Sequence, residues 1–255
     1  VTPANAPNQY LRNELLVVGS KILYRDAAYD LVARNTSDGS AAWSGAAVAL
    51  DGNELSGSAV LASDGTRAFA LADCEVTAVT VASGAVAWTV PVKAGGSTGC
   101  GTAGLARPIV ADGAVLASTF DGSIAIEAAT GVVRWRTGTK LGSTSWVGGS
   151  AVADGVWVMD AGYYDEPKLV ALDLATGEVL WSNTAVGASE GLAIAGDLII
   201  GRSFSSLSGY DLRTGEKVWD GGNPDTSSYT TGAPTIAAGR IFLSTRDGIK
   251  AFGLP

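Results

Sequence analysis

Histidine is absent from this 255-residue sequence, and there are only two cysteines and one methionine. Without histidine there can be no Ser-His-Asp triad, no histidine-ligated zinc or iron and no imidazole general base. Two thiols cannot build a thiolate zinc site either. Any catalysis is left to Asp, Glu, Lys, Tyr or Ser. Basic side chains are scarce: 17 Lys and Arg face 25 Asp and Glu, for a net charge of −8. That balance lacks the basic face that nucleic-acid phosphates or anionic lipid require. No apolar run reaches the roughly 18 residues of a membrane-spanning helix. No basic and apolar leader precedes Val1. The sequence is therefore expected to be a mature or excised piece of a longer product. What is plentiful is apolar side chain (47%) and glycine (34 residues), the make-up of a globular chain rich in turns.

The glycines and tryptophans recur together. "SDGSAAW", "ASGAVAW", "ATGVVRW", "ATGEVLW" and "RTGEKVW" end at Trp43, Trp88, Trp135, Trp181 and Trp219. A glycine stands four residues before each: Gly39, Gly84, Gly131, Gly177 and Gly215. Six residues before each glycine is a small residue: Ala33, Ala78, Ala125, Ala171 and Gly209. The tryptophans are 45, 47, 46 and 38 residues apart, a period that signals a solenoid or a propeller.

The pattern inside one repeat decides between them. From Arg107 to Trp135, short Val, Ile and Ala runs are split at Asp112-Gly113, Asp121-Gly122 and Thr130-Gly131. Four strands with three tight turns result, and no segment carries a helical apolar stripe. Four such strands need roughly 40 residues, which matches the period. Four-stranded units repeated radially are propeller blades. The expected fold is therefore all-β, a single β-propeller of about six blades over residues 10–255. Inner strands should begin near Glu14, Ser58, Pro108, Ser150, Gly191 and Pro234. The sixth unit stops at "GIKAFGLP", before its turn and tryptophan. Residues 1–9 are a linker or the strand that closes this blade; otherwise the blade is incomplete, its strand having been cut away with an upstream region. Pro3 and Pro7 allow an outer edge strand but not a central one. The tryptophans, on the outer strands, are expected to cover the seam to the next blade, with the glycine fixing the turn that aims them.

The pattern A-x-D-x-x-T-G-x-x-x-W resembles the PQQ-like repeat of the quinoprotein dehydrogenase-like propellers. Ala171, Asp173, Thr176, Gly177 and Trp181 carry all of it; Gly209 replaces the alanine in unit five. Glu127, Asn35 and Thr80 replace the aspartate in units three, one and two. WD-repeat propellers are disfavoured, since their Gly-His signature needs histidine. The resemblance implies one of two branches. The dehydrogenases hold pyrroloquinoline quinone and calcium, with an adjacent cysteine pair against the cofactor. Cys74 and Cys100 are 26 residues apart, and no calcium or base residue maps onto this chain. The other branch keeps the repeats alone, as outer-membrane assembly scaffolds or sensor domains of bacterial receptor kinases. The expectation is that second branch, with no cofactor and no metal.

A propeller's loops divide between its faces. Turns joining strands one to two and three to four are short here. Loops joining strands two to three, and the links between blades, are longer and carry aromatic and charged groups, where function prefers to sit. Arg25, Asp121, Tyr163, Tyr164, Asp165, Phe204 and Arg246 fall in the first set of longer loops; Trp146 and Tyr229 fall in the links. These nine are the candidate binding residues, for a small polar ligand, a glycan or a protein partner. Cys74 and Cys100 land on the same face in adjacent blades, where they either form a disulfide or remain two thiols. A bridge places the protein outside the cytoplasm. Trp157 is expected in the core and Asp160 at a strand end, neither being catalytic. The function expected is a non-catalytic extracytoplasmic binding module, a sensor or an envelope scaffold. The alternative is a secreted carbohydrate lyase or hydrolase using Asp and Tyr on the long-loop face, with Asp121, Asp165, Tyr163 and Tyr164 first in line.

Overall fold

The computed structural model describes residues 15–26, 30–43, 60–72, 75–92, 107–119, 122–138, 149–161, 168–184, 191–203, 206–222, 233–245 and 248–254. These form six antiparallel sheets in chain order, the blades of a propeller. Blade 1 is β1 (Leu16–Val18), β2 (Lys21–Arg25) and β3 (Leu31–Asn35), followed by a lone bridge between Arg34 and Ala41. Blade 2 is β4 (Val60–Ser63), β5 (Arg67–Ala72), β6 (Glu75–Thr80) and β7 (Val86–Pro91). Blade 3 is β8 (Ile109–Ala111), β9 (Ala114–Thr119), β10 (Gly122–Glu127) and β11 (Val133–Thr137). Blade 4 is β12 (Ser150–Ala153), β13 (Val156–Asp160), β14 (Leu169–Asp173) and β15 (Val179–Asn183). Blade 5 is β16 (Gly191–Ala195), β17 (Leu198–Arg202), β18 (Leu207–Asp211) and β19 (Lys217–Asp220). Blade 6 is β20 (Thr235–Ala237), β21 (Arg240–Thr245) and β22 (Gly248–Gly253). The inner strands begin within two residues of the expected positions. Residues 1–9 lie outside the described residues.

Successive side chains of a strand point to opposite sheet faces, so each blade offers one face to the blade before it and one to the blade after. Middle strands are covered on both faces, and so read as continuous apolar runs; all six residues of β9, "AVLAST", are buried. The core is five separate clusters, each shared by two consecutive blades. Trp157 is buried in the cluster between blades 3 and 4, its ring 6.1 Å from that of Trp135.

The repeated tryptophan and glycine meet across blades. Trp43, Trp88, Trp135 and Trp181 lie on Gly84, Gly131, Gly177 and Gly215 of the following blade. A Cβ on any of those glycines would come within 2.5–2.7 Å of the indole. Each of these four indole N–H groups donates to a carbonyl of the same following turn: Val81 at 2.9 Å, Ala128 at 3.2 Å, Leu174 at 3.0 Å and Leu212 at 2.9 Å. The glycine has a second reason in its φ of about +75°, which costs other residues roughly 1 kcal/mol. Within its own blade each tryptophan from Trp88 onward sits opposite the small residue: Trp88 on Ala78, Trp135 on Ala125, Trp181 on Ala171 and Trp219 on Gly209. A bulge follows immediately in all four pairs. The expectation that the glycine aims its own blade's tryptophan is thus refined: it receives the preceding blade's.

Asp and Thr of the repeat build the turn between strands three and four. Asp173 Oδ1 accepts from the Ala175 and Thr176 backbone N–H groups at 3.0 and 2.8 Å, and from the Thr176 hydroxyl. Asp211 does the same with Arg213 and Thr214. These bonds favour the charged form, so backbone donation holds both carboxyls below the usual carboxylate range.

The sixth seam differs. No described cluster joins blade 6 to blade 1. Val17, 63% exposed, and the half-buried Ile22, Tyr24 and Val32 lie on the face of blade 1 turned away from blade 2. On blade 6 the face turned away from blade 5 is Phe242, Ser244, Ile249 and Ala251, with Ile249 78% exposed. The residues equivalent to Phe242 in the other blades, Leu23, Phe69, Leu116, Val158 and Ile200, are all fully buried.

Candidate functional site

Of the nine candidate binding residues, the described residues include Arg25 alone. It ends β2 and is buried, facing blade 2 as Leu23 does. Asp121, Trp146, Tyr163, Tyr164, Asp165, Phe204, Tyr229 and Arg246 lie outside the described residues, as do Cys74 and Cys100. What the structure does show is the strand ends that flank those loops in sequence.

Those strand ends are polar. The buried polar and charged side chains among the described residues are Arg25, Ser118, Thr119, Ser123, Asp160, Arg202, Ser208 and Thr245. Every one lies within the last two residues of a second strand or the first two of a third strand. All therefore sit at the long-loop end of the ring. In the four seams that hold an indole on a glycine, the opposite half has no buried polar side chain among the described residues. Burying a polar group is unfavourable unless it is hydrogen-bonded, so such a collar persists only where bonds are supplied.

The bonds run within and between blades. The Ser118 and Ser123 hydroxyls lie 2.6 Å apart, and Ser123 also donates to Met159 Sδ of blade 4 at 3.8 Å. Arg202 Nη1 donates to the Ser244 carbonyl of blade 6 at 2.9 Å, tying the fifth seam. The Thr245 hydroxyl donates to the Gly248 carbonyl at 2.9 Å, spanning its own loop. Deeper along the rim, Arg136 Nη2 donates to the Pro91 carbonyl of blade 2 at 2.7 Å. The same end is also narrow at the axis. A Cβ on Gly149 would lie 2.7 Å from the Gly191 backbone, and one on Gly191 would lie 2.6 Å from Ala233. Inner strands of blades 4, 5 and 6 thus approach at backbone distance.

Asp160 ends β13, as expected, and is buried. Sequence reasoning left its recurrence unread. The last residue of the second strand is Arg25, Thr119, Asp160, Arg202 or Thr245 in five blades and Ala72 in one. Aligning the units on the strand-two ends, rather than on tryptophan, would have found the collar.

Chemically the collar offers guanidinium groups, one carboxylate and hydroxyls at fixed places around a ring. Rigid strand ends of this kind hold overlying loops in register. Among the described residues no three carboxylate, cysteine or histidine groups converge to hold a metal ion.

The family model described as outer membrane protein assembly factor BamB matches residues 4–144 and 121–254. Among solved structures, BamB from Moraxella catarrhalis is 18% identical with a TM-score of 0.64, covering 92% of this chain and 82% of that one. A quinohemoprotein alcohol dehydrogenase from Comamonas testosteroni is 15% identical with a TM-score of 0.62, covering 90% of this chain and 50% of that one. The computationally designed Ika8 protein is 13% identical with a TM-score of 0.55, covering 94% and 82%. No curated protein matches the chain by sequence. At these identities the structural likenesses speak for the fold alone.

Proposed function

This chain belongs to the repeat family described by outer membrane protein assembly factor BamB, and from that premise we propose that it is a non-catalytic binding module holding a protein partner on its long-loop face. The setting is extracytoplasmic, as an envelope scaffold or the outward domain of a sensor. The observation that carries this reading is the polar collar. Among the described residues, eight buried polar side chains gather at one end of a ring in which four seams hold an indole on a glycine at the other end. A fold seeking stability alone would fill those positions with apolar groups. Their place directly under the longer loops supports those loops, with Trp146, Tyr163, Tyr164, Asp165, Phe204 and Tyr229, as the contact surface. Aromatic groups beside Arg and Asp are the composition of interface hot spots. In this setting Cys74 and Cys100 form a disulfide that fastens the second link to blade 2. Thiol titration of the unfolded, unreduced protein should then find no free thiol.

The test is photo-cross-linking in envelope extracts of the source cell. A cross-linker at Trp146 or Tyr164 should trap the same discrete protein adduct. One at Arg213, on the short-turn face, should trap none. Equal capture at both faces, or none at the loops, contradicts the reading. A glycan or small metabolite that raises the melting temperature by mass action would instead assign the face to a small ligand.

A further inference from the structure

The face opposite the long loops is built of short turns. Both short turns of blades 1–5 and the first of blade 6 lie within the described residues. Outer strands run away from this face, so the links between blades depart from the other end.

Its charge is sorted by blade. Blade 4 has Asp154, Asp173 and Glu178 at these turns and no cation. Blade 5 has Asp197, Asp211 and Glu216 against Arg213 and Lys217. Blade 3 has Asp112 and Glu127 against Arg134. Across the ring, blade 1 has Lys21 and Arg34 against Asp38, and blade 6 has Arg240. In blade 2, Asp64 and Arg67 pair with each other at 3.2 Å. The turn ends therefore carry −1, −3 and −1 over blades 3–5, and +1, +1 and 0 over blades 6, 1 and 2. In a ring of six, blade 4 stands diametrically opposite blade 1.

The acidic half is little neutralised within itself. Arg213 spans Asp154 and Asp197 at 3.6 and 3.9 Å, one cation over two carboxylates. Lys217 turns away along its strand to Asp220 at 2.8 Å. Nor does the repeat demand these acids. Glu178 and Glu216 follow the turn glycine where Ser40, Ala85 and Val132 stand in blades 1–3.

Such a face is complementary to a copy of itself. Take a twofold axis lying in the face, between blades 2 and 3 and between blades 5 and 6. It sets blade 4 on blade 1 of a second copy, blade 5 on blade 6 and blade 3 on blade 2. Net charges of −3 on +1, −1 on +1 and −1 on 0 then meet, each pairing occurring twice by symmetry. The same axis passes between Val86 of blade 2 and Val132 of blade 3, 53% and 64% exposed, and turns each toward the other in the second copy. A cationic partner would match blades 4 and 5 and leave Lys21, Arg34 and Arg240 unmatched; a second copy matches both halves.

We propose that this face is a homodimer interface, two copies stacking short-turn face to short-turn face about that axis. The long loops of both copies then point outward, whatever they hold, so the proposal does not rest on the reading of the loop face. A contact with few apolar side chains is expected to form at about ten micromolar chain and above. The dilute chain of an extract leaves Arg213 uncovered.

Sedimentation velocity of the full chain over a concentration series, in about 0.02 M and about 0.5 M salt, is the test. A dimer is expected at low salt, with a dissociation constant at least about tenfold weaker at high salt. Asp154→Lys with Glu178→Lys reverses blade 4 and should leave a monomer. Lys21→Glu with Arg34→Glu reverses blade 1 and should do the same. Mixed together, the two variants should form a one-to-one heterodimer, since each reversed blade then meets its opposite. A monomer throughout the low-salt series overturns the proposal. So does a dimer that salt or either variant leaves intact, which would place the contact elsewhere. A mixture that stays monomeric, although each variant melts as the unaltered chain does, overturns it too. If a variant fails to fold, the salt series of the unaltered chain decides alone.

Discussion

The seam between blades 3 and 4 and the seam between blades 6 and 1 are built from one repeat and end in opposite states. In the first, Trp135 lies on Gly177, donates to the Leu174 carbonyl and packs beside Trp157. Ile109, Leu116, Met159 and Leu172 fill the space behind it. In the second, Gly39 has the same turn conformation with no ring within 4 Å among the described residues, and Ile249 and Val17 are exposed. All five turns share one backbone bond, from the glycine N–H to the carbonyl four residues earlier, so the turn is built locally whatever lies on it. Where an indole lies on the glycine, it joins that turn to the preceding blade.

Breaking the closed seam should have the largest effect. Trp135→Ala removes a buried indole, its hydrogen bond and its ring partner, and should cost about 3–5 kcal/mol in urea unfolding. A smaller loss, about 2 kcal/mol, is expected for Trp219→Ala, because Trp219 is half-buried against the last blade. The glycines sharpen the comparison further. Gly177→Ala sets a methyl 2.5 Å from the Trp135 ring and strains the backbone, for about 2–3 kcal/mol. Gly39→Ala meets no ring among the described residues and should cost only the backbone share, about 1 kcal/mol. Equal losses for the two glycines would mean that a ring already occupies Gly39.

Smaller still is the exposed face. Ile249→Thr should change stability by no more than about 0.5 kcal/mol, as surface substitutions do. The smallest effect is pH dependence in the turns. Asp173 and Asp211 have folded pKa values below their unfolded ones, so their contribution is full above the unfolded pKa. It is lost as pH falls through the folded pKa. Asp173→Asn should therefore lower the melting temperature slightly at pH 7 and flatten the acid limb of its profile below about pH 4, where the wild type loses the same contribution.

Much of this was legible in the sequence. Period, strand count, blade starts and the seam role of tryptophan follow from residues whose positions repeat, because a repeated physical need selects the same residue each time. The small residue at Ala33, Ala78, Ala125, Ala171 and Gly209 was visible without its reason, which is the tryptophan directly across the strand pair. Two things were not legible. Gly177 serves Trp135 rather than Trp181, and no one-dimensional spacing says which blade a ring leans toward. The polar collar was hidden because Arg25, Thr119, Asp160, Arg202 and Thr245 share a place but not a chemistry. Of the candidate binding residues, Arg25 proved part of that collar; the rest lie outside the described residues.

Native-state hydrogen exchange, resolved by peptide across the six blades, tests the two-seam account most directly. Slow exchange in β9, β10, β13 and β14, buried between seams, is expected beside exchange in β22 faster by orders of magnitude. If β22 is protected as well as β10 and β14, the sixth seam is closed, and the contrast between the two seams fails.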